Sequence, residues 1–308
     1  ITQKEGAGYK AEMIDILNGN KKDKWFRPSD VTVAPDGTLF ASDWYDPGVG
    51  GHNMRDLERG RIFMVAPEGH NYATKKPNFS SPTGAIEALM SPNEATRYIA
   101  WHTLNKMGKK AEISLQKLFK NENPVFRARA IWLLGKINGE GQKYVDLAAK
   151  DREFNIRIVA VRLARQLENF DYLSTIAKLL DDPEPAVRRE CAIALRHTKT
   201  EEAAKLWAEL AVRHNGKDRW YLEALGISSD LNADACFAAW LKKVGDDWDS
   251  PSGRDIVWRI RAKQAPHYLV RILKNEKTPV ESHPRYVRAI DFHSGPEREK
   301  ALEALLDI

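Results

Sequence analysis

Apolar and small residues recur at helical spacing along residues 82–308, and the pattern returns about every thirty residues. Arginines mark the repeat at Arg97, Arg127, Arg157, Arg188 and Arg219, which are 30, 30, 31 and 31 residues apart. After each of the first four, the residue at i+3 is small and the residue at i+7 is apolar: Ala100, Ala130, Ala160, Cys191, Leu104, Leu134, Ala164 and Leu195. These positions share one helical face, so the pattern predicts a helix with a buried face in each unit.

A second amphipathic segment follows each first one and predicts a second helix per unit. These helices are expected at 113–119, 144–148, 172–180 and 203–211. Two helices about every 30 residues, stacked side by side, are typical of an α-solenoid. The predicted fold class is therefore mostly α, a HEAT-like α-solenoid over residues 82–308. The register fades after Arg219, where further helices are expected near 232–244, 252–263, 266–275 and 296–307.

Residues 1–80 follow a different pattern, with a period near two and many turn residues. Residues 30–34 alternate, Asp36-Gly37 marks a tight turn, and residues 38–42 resume the alternation. This predicts a hairpin over residues 30–43. Further strands are expected at 61–65 and over 9–17. The prediction for residues 1–80 is a small antiparallel β region the size of one propeller blade, which needs helices or neighbouring blades to cover its faces.

Composition and charge narrow the classes of function. The 308 residues are 43% hydrophobic and 30% charged, and the net charge is +5 with the two signs interleaved. Interleaved charges do not favour a nucleic-acid-binding stripe. No apolar run reaches the ~20 residues of a membrane span. The start has neither a signal-peptide pattern nor a Met, so we expect a mature or a cut-out piece of a longer protein.

The densest polar and aromatic segments lie in the β region and provide the candidate site. Arg27 directly precedes a predicted strand, where a guanidinium can bind a carboxylate through two hydrogen bonds. The structural alternative is an ion pair of Arg27 with Asp30 or Asp43. Asp43, Asp46 and His52 provide two carboxylates and an imidazole that could bind a divalent cation, but their spacing matches no known motif and no metal is predicted. The repeated arginines are expected to be structural, each pairing with an acid of the next unit or capping a carbonyl.

Seven segments of the chain resemble one family of large exported bacterial proteins. They are WFRPSDV (25–31), APDG (34–37), DWYDPGVGGH (43–52), GRIF (60–63), RRECAIALRH (188–197), DRWYLEALG (218–226) and GRDIVWR (253–259). The family is the membrane-bound dehydrogenase-like proteins of planctomycetes, verrucomicrobia and relatives, also called PVC-type haem-binding proteins. Residues 1–80 resemble the last blade of its β-propeller, and residues 82–308 resemble its HEAT-like repeats.

The resemblance implies a longer parent protein. Its propeller is similar to PQQ-dependent glucose/sorbosone dehydrogenases, and a c-type cytochrome module often follows the helical repeats. Arg27 lies where similar enzymes contact the quinone carboxylates, so the resemblance makes Arg27 a cofactor-binding residue with Asp43 and His52 as companions. Both cysteines lie outside any CxxCH motif, so haem is implied only for the parent. We expect no cofactor in this chain, and by itself no catalysis.

The resulting hypothesis is a scaffold within an exported or periplasmic sugar- or alcohol-oxidising protein. The helical array would be a spacer and docking surface between propeller and cytochrome modules. The alternative is a non-catalytic HEAT scaffold that binds a protein or a polysaccharide. A third possibility, a HEAT-repeat nucleic-acid protein resembling alkylation-repair glycosylases, is disfavoured by the interleaved charges.

Overall fold

The computed structural model describes residues 1–19, 24–45 and 58–306. The chain divides into two compact units, one made of Ile1 with Glu12–Gly141 and one of Thr2–Ala11 with Gln142–Ile308. The predicted fold class is confirmed: the chain is mostly α, with HEAT-like helix pairs preceded by small antiparallel sheets. Strands give way to helices between Val65 and Pro82. That residues 1–80 and 82–308 are separate domains stays a prediction.

Two antiparallel sheets lie near the start of the chain. The strands β1 (Thr2–Glu5) and β2 (Gly8–Ala11) form a two-stranded hairpin. The strands β3 (Pro28–Val33), β4 (Leu39–Asp43) and β5 (Arg61–Val65) form a second sheet in that order. The predicted hairpin over 30–43 and the predicted strand at 61–65 are both confirmed.

The strand predicted over residues 9–17 is wrong in extent. It ends at Ala11, and it pairs with β1, which the pattern did not predict. The reason is compositional: the residues of β1 are polar and exposed, so they carry no alternation of buried and exposed positions. This hairpin belongs to the second unit, whereas β3–β5 belong to the first.

The turn between β3 and β4 is fixed by Asp36 and Gly37. Gly37 has a φ of +96°, a conformation that glycine adopts without strain. One carboxylate oxygen of Asp36 accepts hydrogen bonds from the backbone N–H of Thr38 (3.1 Å) and from its hydroxyl (2.8 Å). The other lies 2.9 Å from Nε2 of His70. The turn therefore contacts a distant part of the same unit.

Removing the imidazole of His70 is expected to raise the pKa of Asp36. Burial alone would raise this pKa, but the hydrogen bonds from His70 and Thr38 outweigh it and lower the pKa from 3.8 to about 2. The stabilisation from this depressed pKa is complete above pH 4 and is lost as the pH falls through about 2. Carboxyl-carbon NMR titration of the wild type and of His70→Ala measures the shift. Asp146 in the other unit should keep its midpoint, and an unchanged Asp36 midpoint in the variant would contradict the assignment.

Helices make up the rest of both units. The first unit holds α1 (Pro82–Leu89), α2 (Glu94–Met107), α3 (Glu112–Phe119) and α4 (Pro124–Leu134). Next come α5 (Gly141–Ala149), α6 (Phe154–Gln166), α7 (Tyr172–Leu179), α8 (Pro185–Ala194), α9 (Glu201–Ala211), α10 (Arg219–Ser229) and α11 (Ala233–Val244). The last are α12 (Pro251–Arg259), α13 (Ala265–Lys274), α14 (His283–Ile290) and α15 (Pro296–Leu305). The predicted second helices are confirmed as α3, α5, α7 and α9, whereas α14 was not predicted.

The second unit is built in two layers. Helices α6, α8, α10 and α12 contact one another in succession, and α7, α9 and α11 do the same beside them.

The residues that the repeat placed at i+3 and i+7 are all buried in the helix packing of the two units: Ala100, Ala130, Ala160, Cys191, Leu104, Leu134, Ala164 and Leu195. Small residues on these faces let neighbouring helices approach closely.

The first four repeated arginines cap the turn that precedes their own helix. Each donates a hydrogen bond to the carbonyl oxygen six residues earlier in the chain, on Ser91, Asn121, Asp151 and Asp182. Arg157 also forms a two-point ion pair with Asp182 of the next helical repeat, with N–O distances of 2.6 and 2.8 Å. Both predicted structural roles, carbonyl capping and pairing with an acid of the next repeat, are therefore confirmed.

Arg219 does not share this role. It is the first residue of α10, directly after the N-cap Asp218, whereas Arg157 stands four residues after its N-cap Glu153. Its side chain is 84% exposed and lies 3.9 Å from Glu223. The structural role of the repeated arginine therefore ends one helical repeat earlier than the arginine spacing suggests.

Candidate functional site

Arg27 and Asp43 lie at the same end of the three-stranded sheet. Arg27 directly precedes β3, and Asp43 is the last residue of β4, where it pairs in register with Pro28. Arg27 was predicted to precede a strand directly, and the bounds of β3 confirm this position. His52, the third predicted site residue, and Asp46 lie outside the described residues.

Asp43 holds this end of the sheet together. Its side chain is buried, and one carboxylate oxygen accepts backbone hydrogen bonds from Arg27 (2.7 Å) and Tyr45 (2.9 Å). The other oxygen accepts from Nε of Arg61 at 2.9 Å. Burial raises the pKa of Asp43, but these donors outweigh burial and the net pKa is lowered. Both carboxylate oxygens of Asp43 therefore accept hydrogen bonds at this end of the sheet, and the residue has a structural role.

The guanidinium of Arg27 bonds to main-chain carbonyls. It donates to the carbonyl oxygens of Lys24 (3.0 Å) and Phe26 (2.9 Å) and lies 5.9 Å from the Trp25 ring centroid. The ion pair proposed as its structural alternative, with Asp30 or Asp43, is wrong: Asp43 pairs with Arg61 instead. The role of Arg27, Asp43 and His52 in binding a cofactor stays a prediction.

Sequence reasoning missed Arg61, Arg59 and Tyr45 at this sheet end. The guanidinium of Arg61 lies 4.8 Å from the Tyr45 ring centroid, and that of Arg59 lies 5.7 Å away. Tyr45 has a φ of +49°, uncommon for a residue with a side chain. No sequence signal identified Arg61 as the partner of Asp43, because the register of β5 that places the two opposite each other depends on tertiary packing. Among the described residues, no group of three His, Cys, Asp or Glu side chains is arranged to hold a metal ion.

A second candidate site lies at the starts of α8 and α10, where the turn of the β1–β2 hairpin is bound. We call it the turn site; it consists of Glu184, Arg189, Asp218 and Trp220. Oδ2 of Asp218 accepts a hydrogen bond from the backbone N–H of Ala7 at 2.7 Å, while Oδ1 caps α10 at the N–H of Tyr221 (3.0 Å). Arg189 donates to the carbonyl oxygen of Ala7. Both main-chain groups of Ala7 are therefore bound by side chains of the repeat.

The turn fits only because its residues are small. Ala7 is fully buried and belongs to the hydrophobic core of the second unit. A Cβ atom on Gly8 would lie 2.4 Å from Cγ of Trp220, and one on Gly6 would lie 2.5 Å from Oδ2 of Asp218. Gly6 also has a φ of +54°, which favours glycine. The site therefore selects glycine on both sides of a small residue.

Charged groups extend the contact along β1. Lys4 forms an ion pair with Glu184, and its ammonium lies 4.7 Å from the ring centroid of Phe154. Beside the bound turn, an open groove of 810 Å³ is lined by Glu5, Asp218, Arg219, Trp220 and Glu223 among others. Trp220 is 48% exposed in this groove. The turn site thus continues into a surface that polypeptide can reach.

A polar cluster centred on the buried side chain of Asp255 joins three helical segments elsewhere in the second unit. Nε2 of His214 lies 2.9 Å from Oδ2 of Asp255, whose Oδ1 accepts from Arg285 at 2.6 Å. The guanidinium of Arg285 stacks 4.4 Å from the Trp258 ring centroid. Burial raises the pKa of Asp255, but the two partners outweigh it and lower the pKa. These contacts connect the α9–α10 loop, α12 and α14, which is a packing role.

Comparison with known families agrees with this helical architecture. Residues 142–226 match HEAT repeats, which covers α5 to most of α10. No curated protein matches the chain. In the part of the chain that the structure describes, no helix is long and apolar enough to cross a membrane.

Proposed function

We propose that the chain is a non-catalytic helical-repeat scaffold that binds polypeptide segments. The observation that carries this proposal is the turn site, where side chains of α8 and α10 bind the main chain of residue Ala7. Hydrogen bonds to main-chain N–H and C=O groups are a recurring source of affinity in polypeptide recognition, and helical repeats offer extended surfaces for it. The layer of α6, α8, α10 and α12 provides a long face for such contacts.

The state of the two cysteines supports a scaffold role. Burial raises the pKa of the Cys191 thiol, and it raises that of Cys236 to about 12. The thiolate is the nucleophilic form of cysteine, so both thiols stay protonated and unreactive near neutral pH. Cys191 instead fills the small-residue position of its repeat.

Hydrogen–deuterium exchange on the natural protein tests the scaffold proposal. Exchange is compared between this chain alone and the complete protein with its co-purifying partners. A scaffold predicts slower exchange in the complete assembly along α6, α8, α10 or α12, with no change in α9, which belongs to the other layer. Identical exchange in both samples would contradict the proposal.

A narrower proposal places this scaffold in an exported quinoprotein-like dehydrogenase. Besides the sequence resemblance, the three-stranded sheet supports it, because apolar side chains are exposed on both of its faces. Val31 is 64% exposed on one face and Ile62 is 74% exposed on the other. A sheet packed between neighbouring blades would bury both. The helical repeat would then be a spacer and docking surface toward a haem module.

Activity of the full-length protein tests the narrower proposal. We expect PQQ-dependent dye reduction with a sugar or an alcohol, and we expect Arg27→Ala to weaken PQQ binding by at least about tenfold, as for a lost charge-assisted contact. Arg59→Ala is the matched control at the same sheet end. No turnover after reconstitution with PQQ would contradict the dehydrogenase proposal but would not affect the scaffold proposal.

A further inference from the structure

We propose that the turn site is a recognition site for β-hairpin turns of the form glycine, small residue, glycine, and that residues 5–8 occupy it in cis. A partner polypeptide carrying such a turn would enter when the hairpin leaves. This inference rests on the proposed scaffold function and names the class of its ligand.

The recognition chemistry does not depend on the turn belonging to this chain. Asp218 and Arg189 bind the N–H and C=O of a single residue, and every non-proline residue has both groups. Asp218 performs two tasks at once, because one oxygen caps α10 and the other binds the turn. The helix cap therefore fixes the position of the oxygen that receives the ligand.

Specificity comes from the space around the turn. The indole of Trp220 closes the position of Gly8, and the carboxylate of Asp218 closes that of Gly6. The side chain between them enters the hydrophobic core, where Ala7 is fully buried. A side chain on either glycine would overlap these groups. The site therefore excludes turns that lack glycine at either of these two positions.

A basic residue two positions before the first glycine is also favoured. Lys4 stands there and pairs with Glu184 next to the ring of Phe154. Both charged side chains are partly exposed, at 39% and 30%. Exposed ion pairs contribute little affinity, so this contact orients the strand more than it holds it.

The resident hairpin is suited to leave the site. Every residue of β1 is exposed, and in β2 only Gly8 is buried. An isolated two-stranded hairpin is marginally stable, so residues 2–11 depend on the contacts of the turn and of Lys4 to stay in place. Local opening of the hairpin would expose the turn site while the helices remain packed.

A labelled cyclic peptide containing residues 1–12 tests the proposal on the full chain. In Gly8→Val, the overlap with Trp220 should release the chain's own hairpin. We expect this variant to bind the peptide with a Kd at least about tenfold lower than the wild type, whose site is occupied by a tethered competitor. Asp218→Ala in the Gly8→Val background should remove most of that binding. A peptide carrying Gly8→Val should not bind.

Controls separate this outcome from misfolding. Gly60→Val is the matched chain variant, because a Cβ there lies 3.7 Å from its nearest neighbour, the Asp43 carbonyl oxygen. It should bind the peptide no better than the wild type. Circular dichroism should show unchanged helix content in Gly8→Val, and hydrogen exchange should accelerate in residues 2–11 alone. Equal peptide binding by Gly8→Val and the wild type, or no effect of Asp218→Ala, would overturn the turn-recognition proposal. Exchange protection elsewhere on the helices would still support the scaffold.

Discussion

Arg157→Ala is expected to lower the free energy of unfolding by about 3–5 kcal/mol, the usual cost of removing one partner of a buried ion pair. The side chains of Arg157 and Asp182 are 13% and 4% exposed, and two hydrogen bonds join them. The substitution would leave the Asp182 carboxylate buried with one fewer partner. It would also remove the donor that caps the carbonyl of Asp151.

Arg219→Ala is the matched control for that experiment. The two arginines occupy the same place in the sequence repeat, but Arg219 is exposed, so we expect a change within about 0.5 kcal/mol. Urea unfolding followed by circular dichroism at 222 nm measures both variants. Equal losses in Arg157→Ala and Arg219→Ala would show that the sequence repeat, and not the buried pair, determines the stability.

Trp207→Ala is expected to lower the free energy of unfolding by about 3–5 kcal/mol, as is typical for truncating a large buried aromatic side chain. Trp207 on α9 is 1% exposed. Its indole N–H donates to the carbonyl oxygen of Leu225 (2.9 Å) and the hydroxyl of Ser228 (3.0 Å), both on α10. Alanine would leave a cavity between the two helix layers and remove this link.

Trp207→Phe separates the volume of the ring from its hydrogen bonds. Phenylalanine keeps most of the apolar contact but lacks the N–H, so we expect a loss of about 1–2 kcal/mol. Ser228 still donates to the Leu225 carbonyl at 2.9 Å, which limits the number of unpaired groups. Calorimetric melting of the two variants gives the comparison. A loss in Trp207→Phe as large as in Trp207→Ala would assign the stability to the hydrogen bonds.

The helical repeat was predictable because each of its positions has the same packing role in every repeat. A small residue at i+3 and an apolar residue at i+7 are required wherever helices pack closely, so the spacing is visible in the sequence. Arg219 shows the limit of this reasoning. Its spacing fits, but α10 begins at Arg219 itself, and its exposed side chain does not cap the turn before its helix as Arg157 does.

The turn site was not predictable from the sequence. Its contacts join Ala7 to Asp218, which are 211 residues apart, and no local pattern encodes such a pairing. The polar strand β1 also lacks the alternation that identifies a half-buried strand. The one local signal was the pair of glycines that enclose Ala7, which is typical of a tight turn against a surface.

The sheet-end site was found in part. The sequence identified Arg27 and Asp43 as neighbours at one end of a hairpin, because the Asp36-Gly37 turn fixes the strand register. It assigned the wrong guanidinium to Asp43, since Arg61 reaches it from a third strand. Which strand joins a hairpin depends on tertiary packing, and the pattern of apolar residues within β5 does not contain that information.

The order of synthesis gives the hairpin an unusual history. Ala7 leaves the ribosome long before Asp218, which follows 211 residues later. At about 5–20 residues per second, the glycine turn waits roughly 10–40 seconds for its binding surface. The turn can therefore be bound only after α8 and α10 have been synthesised, although its own residues are among the first to be made.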